Sequence, residues 1–509
     1  MVKTTMSHKK IEIMDTTLRD GEQMSSVSFK PSEKLTIAEQ LLEIGVPRIE
    51  VASARVSKGE EEAVRQICGM AERKGKLKAV EVLGFLDHNR SIDWIYNCGC
   101  KVVNLLAKGS LRHLETQLKQ TPEEHACLIR KSVEYAKNKG MDVNVYLEDW
   151  SSGMKDSIDY VMEILKKLEE MPVSRVMLSD TLGILNPLNT RNYVKRVKRM
   201  HPKMHVDFHA HNDYGMATGN SMAALHAGIN GLHTTMNNLG ERAGNAPLDE
   251  LVAAMKDHLF IDSGIKEEGL YGLSKLIESI SGVHVSPTKP ITGDNVFTQT
   301  AGIHADGDKK GNLYQNKLTP ERFGRRRDYA LGKLMGKDSL QLNLGRLGIT
   351  LTPEQESKVY DELKRLGDMK RTIADIEELR LIIADVIGNP SQQKYRIGNY
   401  EVRSVKGNPS TGTIEIINGQ KTYTASGTGD GGYDACMNAL KKIFPELPEL
   451  VDYKVRIPKG GTDALVETTI TWKNNWKEFR TRGVHSDQVA AALYATERML
   501  NIAQPRPKE

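Results

Sequence analysis

The stretch that decides the fold runs Ile11-Glu-Ile-Met14, then Pro31–Ile44, then Arg48-Ile-Glu-Val51. The first and last runs are short and rich in β-branched residues, which favours strands. The middle run repeats its apolar residues at helical spacing. A strand, a helix and a second strand in this order predict two parallel strands joined by a covering helix.

The same alternation continues along the chain for roughly 250 residues, the usual size of a (β/α)8 barrel. Another amphipathic helix is predicted at Thr121–Lys139. We therefore predict an α/β fold that begins with a (β/α)8 TIM barrel, with functional residues at the C-terminal ends of its strands. Its eight strands are predicted at Ile11–Met14, Arg48–Val51, Val80–Leu83, Val102–Leu105, Val143–Leu147, Arg175–Leu178, His205–Phe208 and Gly231–Thr235.

The chain has 509 residues, which is too long for a single hydrophobic core, so several domains are expected. Beyond about Asn245 the strand pattern gives way to helical patterns, and after Pro390 strand pairs return. We predict a barrel over residues 1–275, helical linker subdomains over 276–390 and an α+β domain over 391–509.

The last domain contains two halves that repeat the same order of strands, turn and helix. Turns are predicted at Asn418-Gly419 and at Lys459-Gly460-Gly461. Asp434 precedes the helical run of the first half and Asp487 that of the second, and each is expected to cap its helix. The sequence therefore predicts a duplicated βββα unit.

Composition excludes several classes of protein. The net charge of +5 is too small to indicate nucleic-acid binding. The five cysteines lack the paired spacing of a disulfide framework or a zinc site, so reduced thiols are expected. No stretch approaches the roughly twenty apolar residues of a membrane span. We expect a cytoplasmic protein that binds neither nucleic acid nor membrane.

Two polar motifs follow predicted barrel strands. Asp15-Thr-Thr-Leu-Arg19-Asp20-Gly-Glu-Gln23 follows the first strand, and His209-Ala-His211-Asn-Asp213 follows the seventh. The spacing of the two histidines places both imidazoles on the same side of an extended segment. With Asp20 and the amide of Asn245, which follows the eighth strand, they predict a divalent-metal site with open positions, suited to Zn, Mn, Co or Mg.

The alternative is that Arg19 and Asp20 form an interior ion pair and that the histidines are ordinary core residues. All of these side chains follow strands of one predicted barrel, and their convergence at one end favours the metal site.

These motifs resemble those of the metal-binding barrels that condense or cleave acyl-CoA esters. The family includes isopropylmalate, homocitrate and citramalate synthases and, more distantly, hydroxymethylglutaryl-CoA lyase. The resemblance extends to Ala301-Gly-Ile-His304-Ala-Asp306-Gly and covers nearly the whole chain. It implies an acyltransferase of branched-chain amino-acid biosynthesis that joins acetyl-CoA to a 2-oxoacid by Claisen condensation and then hydrolyses the thioester.

The same resemblance implies roles for the motif residues. Asp20, His209 and His211 would hold the metal, with Asn245 as a weaker ligand. Arg19 would polarise the ketone, adding a positive group where the alkoxide charge develops.

Further roles follow from the resemblance. Glu148 and His304 would be the acid/base residues, and Thr181 would bind the substrate carboxylate. In the family, the segment containing the histidine reaches the barrel of a neighbouring subunit.

The 2-oxoacid is predicted from the side chains around the presumed ketone pocket. Leu83, Leu106 and Tyr146 would form a bulky apolar wall, which favours the methyl group of pyruvate over an isopropyl group. Leu313-Tyr314 is similar to a pair near the active site of (R)-citramalate synthases. Ser179 replaces a proline common in isopropylmalate synthases, and Leu331-Gly-Lys-Leu-Met-Gly-Lys departs from their usual sequence.

We therefore predict (R)-citramalate synthesis from pyruvate. One or two methyl groups discriminate only about 10- to 200-fold, and 2-isopropylmalate synthesis from 2-oxoisovalerate remains the alternative.

The C-terminal units resemble the domain through which such synthases form dimers and bind an end-product amino acid, here isoleucine or leucine. The turn Gly427-Thr-Gly-Asp-Gly-Gly432 suits the charged groups of an amino acid, although tight turns use the same glycines. A homodimer is expected.

Two further classes are disfavoured. A catalytically inactive amino-acid sensor would have lost ligands that are present here. A biotin-dependent carboxyltransferase on the same barrel would need a carbamylated lysine in its metal set, and no lysine is predicted at a matching strand end.

Overall fold

The computed structural model describes residues 11–368, 376–387, 394–457, 466–474 and 477–508. The chain divides into two compact units. The first unit comprises the chain up to Phe297 together with Asn316–Arg327, and the second comprises Thr298–Gln315 together with the chain from Asp328.

The first unit is built on a closed barrel of eight parallel strands in sequential order, in which the last strand pairs with the first. The strands are β1 Glu12–Asp15, β2 Arg48–Ser53, β3 Val80–Phe85, β4 Val102–Lys108, β5 Asp142–Glu148, β6 Arg175–Asp180, β7 Val206–Ala210 and β8 Gly231–Thr234.

All eight predicted strands are confirmed, with differences at their ends. The prediction ended the fourth strand at Leu105 and the fifth at Leu147, but β4 continues through Leu106 and Ala107 to Lys108, and β5 continues to Glu148. The two added strand ends carry the charged residues Lys108 and Glu148, which pair across β4 and β5.

Helices cover the outside of the barrel. Three of them begin with a proline, at Pro31, Pro122 and Pro187, where the missing N–H leaves no helical hydrogen bond unmade. The helices of the first unit are Pro31–Glu43, Lys58–Arg73, Arg90–Asn97, Pro122–Asn138, Trp150–Asp156, Ile158–Glu169, Pro187–Met200, Ala217–His226, Leu248–Ala254 and Leu270–Ser281, with shorter helical turns at Gly21–Gln23, Leu77–Ala79, Leu111–His113, Leu114–Leu118, Met236–Asn238, Met255–Leu259, Glu267–Gly269 and Pro320–Phe323.

The barrel interior is arranged in layers that the register of β4 and β5 defines. Asn104 pairs with Asn144, Leu106 with Tyr146 and Lys108 with Glu148. Residues two apart on a strand share one face. The interior therefore changes along these strands from amides, through an apolar and aromatic pair, to a charged pair at the mouth.

The second unit begins with a helical region. Two short strands, Thr298–Gln299 and Asp328–Tyr329, pair in parallel. A small apolar core, which includes Leu340, Leu363 and Leu379, joins the later helices. The helices of this region are Gly302–Lys309, Lys337–Leu347, Pro353–Asp368 and Ile376–Ile387.

The chain then forms the predicted duplicated βββα unit. Two antiparallel three-stranded sheets are each followed by a helix. The first half contains Arg396–Arg403, Ser410–Asn418, Lys421–Gly429 and the helix Gly432–Ile443, and the second half contains Glu449–Arg456, Val466–Asn474, Lys477–His485 and the helix Gln488–Ala503.

The predicted turns and caps of this domain have different outcomes. The turn at Asn418-Gly419 connects two strands as predicted, whereas Lys459-Gly460-Gly461 lies outside the described residues. Asp487 caps its helix by accepting a hydrogen bond from the backbone N–H of Ala490. The predicted cap at Asp434 was wrong, because the helix begins earlier, after Gly431, and places Asp434 inside its first turn.

The glycines before this helix serve packing. A Cβ at Gly427 would lie 2.5 Å from the backbone nitrogen of Ala439, and one at Gly429 would lie 2.3 Å from the carboxylate of Asp434. The strand therefore approaches the helix closely only because these two positions carry no side chain.

Two remaining predictions concern the thiols and the membrane. All five cysteines lie in the described part of the chain and are free thiols. Among the described helices, none combines the length and the apolar character that crossing a membrane would require.

Candidate active site

Three ionisable side chains meet at the C-terminal end of the barrel. Asp20 follows β1, His209 belongs to β7, and His211 follows β7 by one residue. His209 Nε2 lies 3.1 Å and His211 Nε2 lies 3.8 Å from Asp20 Oδ2, and the two imidazole nitrogens are 3.3 Å apart. All three side chains are buried.

The unpartnered atoms of this cluster fit a divalent cation. Asp20 Oδ1 and Asn245 Oδ1 are buried oxygens with no hydrogen-bond partner. Asn245 is next to His211 in the fold, since the two residues form an isolated antiparallel backbone bridge. A carboxylate, two imidazoles and an amide oxygen are donors that divalent metals accept in this combination.

The protonation of the cluster also suits metal binding. Burial lowers the pKa of His211 to about 4, so its imidazole is neutral near pH 7 and has a free lone pair. Burial opposes ionisation of Asp20, but the Arg19 guanidinium and the two histidines hold the pKa of this carboxyl well below its usual range. The aspartate therefore remains an anion.

Arg19 is held by three partners around its guanidinium. Its Nε donates to Glu50 Oε2 at 2.6 Å, its Nη1 to Asp20 Oδ2 at 2.9 Å and its Nη2 to the Tyr146 hydroxyl at 3.2 Å. Burial opposes the charge, but the two carboxylates raise the pKa of Arg19 well above its usual value. A permanent, oriented positive charge thus lies against the cluster of Asp20, His209 and His211.

The predicted pocket wall forms a small apolar cluster inside the barrel. Leu83, Tyr146, Met14 and Met177 are buried against one another, and Leu106 packs against them. The structure therefore brings together the three predicted wall residues and adds two methionines that the sequence analysis did not name. Through the Tyr146 hydroxyl, the cluster is contiguous with Arg19.

Glu148 has a partner that the sequence analysis missed. It ends β5 and accepts a hydrogen bond from the ammonium of Lys108, which ends β4. A lysine therefore does stand at a strand end, and it was overlooked because the predicted fourth strand stopped at Leu105. Its ion pair is with Glu148, and among the described contacts it has no ion pair with Asp20, His209 or His211.

Thr181 lies directly after β6 and is partly exposed. Its hydroxyl oxygen accepts a hydrogen bond from the backbone N–H of Asp149 at 2.8 Å, and its carbonyl accepts one from Arg242 at 2.7 Å. Both interactions leave the hydroxyl proton available to donate. The side chain is thus fixed at the barrel mouth with a donor that an anionic oxygen can use.

Three predicted site residues belong to the second unit. His304 lies on the helix Gly302–Lys309, and its ring is 4.2 Å from that of Tyr314, centroid to centroid. Leu313 is 71% exposed. The structure therefore groups His304 and Tyr314 as a tilted ring pair within this unit, with 36° between the ring planes.

A buried polar network below Arg19 was also missed. Glu50 accepts from Asn104 at 2.7 Å, and the Tyr146 hydroxyl lies 3.2 Å from Glu50 and 3.1 Å from His233 Nδ1. Burial lowers the pKa of His233 to about 3, so this imidazole is neutral. A signal was present in the sequence, because Glu50 is a carboxylate between the apolar residues Ile49 and Val51 of a buried strand.

Family models match almost the entire chain. A model described as HMGL-like matches residues 10–277. A homocitrate synthase post-HMGL domain-like model matches residues 291–371, and a model of the LeuA allosteric (dimerisation) domain matches residues 373–504.

Two full-length relatives come from Methanocaldococcus jannaschii. An (R)-citramalate synthase is 34% identical over 97% of this chain and 99% of its own length. A 2-isopropylmalate synthase is 32% identical over 96% of this chain and 93% of its own length. The two identities are nearly equal, so overall similarity does not choose between the two reactions.

Proposed function

On the premise that this chain belongs to the family of (R)-citramalate and 2-isopropylmalate synthases, which are acyltransferases, we propose that it condenses acetyl-CoA with pyruvate to (R)-citramalate and releases free CoA. The observation that carries the choice of pyruvate is the apolar cluster of Leu83 and Tyr146, with Leu106 against it, beside Arg19. This wall accommodates a methyl group and opposes a branched one.

The residues that would hold a divalent ion are Asp20, His209 and His211, with Asn245 as a further ligand. When bound, such an ion supplies Lewis-acid polarisation of the keto group. Arg19 adds a fixed positive charge beside that position and stabilises the alkoxide that forms when the new carbon–carbon bond is made. Its three hydrogen bonds prevent the guanidinium from turning away.

The remaining roles belong to residues at the mouth of the barrel and in the second unit. Glu148 and His304 are proposed as the acid/base residues that move the methyl proton of acetyl-CoA. Thr181 is proposed to donate its hydroxyl proton to the carboxylate of the 2-oxoacid. Leu313 and Tyr314 are proposed to lie near the substrate.

The second half of the chain is proposed to regulate this activity. We propose that residues 1–275 form the catalytic barrel, residues 276–390 the linker subdomains and residues 391–509 a domain that binds isoleucine or leucine and forms a homodimer in the cytoplasm. The match to the LeuA allosteric (dimerisation) domain supports the assignment of regulation and dimerisation to the C-terminal domain. Close packing against the helix Gly432–Ile443 by itself requires that Gly427 and Gly429 carry no side chains.

A second candidate is 2-isopropylmalate synthesis from 2-oxoisovalerate. It is favoured by the relative of that name, whose identity to this chain is almost the same. A catalytically inactive amino-acid sensor has less support, because the metal-binding cluster and Arg19 are complete.

The deciding experiment follows free CoA release from acetyl-CoA with pyruvate, 2-oxoisovalerate and 2-oxoglutarate in parallel. We expect the largest kcat/KM with pyruvate, and the product should be (R)-citramalate by chiral chromatography. A larger kcat/KM with 2-oxoisovalerate would establish the second candidate instead. No release with any 2-oxoacid, in the presence of added divalent metal, would support the sensor.

A further inference from the structure

The ion pair between Lys108 and Glu148 has an unusual environment for a lysine. The Lys108 side chain is only 8% exposed, whereas that of Glu148 is 26% exposed. Lysine side chains are rarely buried to this extent unless their charge is paired, and here the paired carboxylate is a proposed acid/base residue. The ammonium therefore stands directly beside a group proposed to react.

The register of the barrel places the pair one layer above the ketone pocket. Lys108 pairs with Glu148 across β4 and β5, and Leu106 pairs with Tyr146 two residues earlier on the same face. Two residues along a strand correspond to roughly 7 Å. The pair thus lies between the Tyr146 layer, which contacts Arg19, and the open end of the barrel.

The backbone of Lys108 is anchored from both sides. Its N–H donates to Nε2 of the buried His125 at 3.0 Å, and its carbonyl accepts from the hydroxyl of the buried Tyr160 at 2.7 Å. These partners lie on the helices Pro122–Asn138 and Ile158–Glu169. The strand end that carries the ammonium is therefore fixed, as a catalytic group requires.

The ammonium also has spare donors. It carries three N–H bonds, and among the described contacts only Glu148 accepts from it. A buried cation with unused donors is suited to an acceptor oxygen supplied by a ligand. An acceptor bound here would lie next to the Glu148 carboxylate.

We propose that Lys108 is a catalytic residue that donates a hydrogen bond to the thioester carbonyl oxygen of acetyl-CoA while Glu148 removes a methyl proton. The inference rests on the proposed condensation reaction. The C–H electron pair becomes the carbon–carbon double bond of the enolate, the carbonyl π electrons move to the oxygen, and the proton goes to the Glu148 carboxylate. Lys108 stabilises the resulting oxyanion.

The test uses the full chain and carboxymethyldethia-CoA, in which a carboxylate replaces the thioester enolate. Lys108→Met should bind this analogue at least about 30-fold more weakly than the wild type by calorimetry, while its affinity for CoA itself is unchanged. Its kcat should fall about 100- to 1000-fold, and Lys108→Arg should recover part of the loss. Lys101→Met, which replaces a lysine that precedes the same strand, should leave both quantities unchanged.

The variant Glu148→Gln distinguishes a Lys108 that binds the thioester oxygen from a Lys108 that only positions Glu148. It removes the ion pair and should abolish turnover, yet it should bind the analogue at least as tightly as the wild type. The inference is overturned if Lys108→Met binds the analogue normally, or if Glu148→Gln loses the same affinity. Should the Met variant not fold, Lys108→Gln provides the same comparison. A wild-type chain that releases no CoA would instead refute the proposed function.

Discussion

The hydroxyl of Tyr146 lies 3.2 Å from Nη2 of Arg19, and the guanidinium carbon lies 5.6 Å from the centroid of the Tyr146 ring. One side chain thus belongs both to the apolar cluster that would select the substrate and to the contacts that orient the arginine. Selectivity and catalysis are therefore expected to respond together to changes at this residue.

Tyr146→Phe is predicted to lower kcat/KM about 10- to 100-fold for every 2-oxoacid tested. The change removes the acceptor of one Arg19 N–H, and hydrogen bonds to charged groups contribute about 1.5–3 kcal/mol. CoA release measured against substrate concentration checks this. Tyr135→Phe is the matched control, because it removes a hydroxyl bonded to Asp93 on the outer helices. Equal activity of the Tyr146 and Tyr135 variants would show that Arg19 needs no tyrosine.

Replacing a leucine of the pocket wall by alanine is predicted to shift substrate preference towards 2-oxoisovalerate. Leu83→Ala or Leu106→Ala should raise kcat/KM for 2-oxoisovalerate relative to pyruvate about tenfold, which is equivalent to about 1.4 kcal/mol. The reason is that a branched substrate forced against the intact wall would cost roughly 1–3 kcal/mol, by analogy with an overpacked core, and the alanine makes room for it. Leu105→Ala is the control, since Leu105 packs in the large core cluster on the other face of β4. An unchanged ratio in both wall variants would mean that other residues form the pocket.

Metal removal is predicted to abolish turnover. Excess chelator should eliminate CoA release, and added Zn, Mn, Co or Mg should restore it, because the ion proposed to bind Asp20, His209 and His211 would polarise the keto group. Asp20→Asn should also reduce the metal content measured by mass spectrometry. Asp213→Asn should not, because Asp213 pairs with Arg242. Full activity of a chain verified to contain no metal contradicts this prediction.

Ending the chain after Pro390 is predicted to remove amino-acid inhibition while preserving some condensation. Every proposed catalytic residue precedes this point, and the matched allosteric domain spans residues 373–504. Activity is measured with and without isoleucine or leucine. If the shortened chain is inactive, calorimetric titration with the two amino acids should detect no binding. Inhibition that persists at the same effector concentration would place the effector site in the first 390 residues.

The stability of the barrel is predicted to depend on pH through His125. Burial, together with the nearby Lys108 charge, lowers the pKa of His125 to about 4, while an unfolded histidine has a pKa near 6.5. Between these values the unfolded state binds the additional proton, so stability should fall as the pH drops, by at most about 1.4 kcal/mol per pH unit.

His125→Gln should therefore lose less stability than the wild type between pH 6.5 and 4, measured as the change in thermal-unfolding midpoint by calorimetry. His226→Gln, at an exposed position, should follow the wild type. Parallel pH profiles for the wild type and His125→Gln would show that the buried histidine is not the proton-binding group.

Local sequence patterns were sufficient to predict the barrel. Strand–helix alternation and β-branched runs predicted all eight strands because each signal depends on nearby residues. The motif Arg19-Asp20 and the pair His209 and His211 were recognisable for the same reason. Their convergence followed from the rule that the C-terminal ends of barrel strands share one mouth.

The sequence by itself determined the barrel, the duplicated C-terminal unit and the residue types able to hold a metal, because periodicity and spacing encode them locally. Only the tertiary structure decided which partners those residues have. Lys108 meets Glu148 across neighbouring strands, and Tyr146 meets Arg19 across 127 positions of the chain. Such pairings arise from strand register and burial, which act between segments that no local pattern connects.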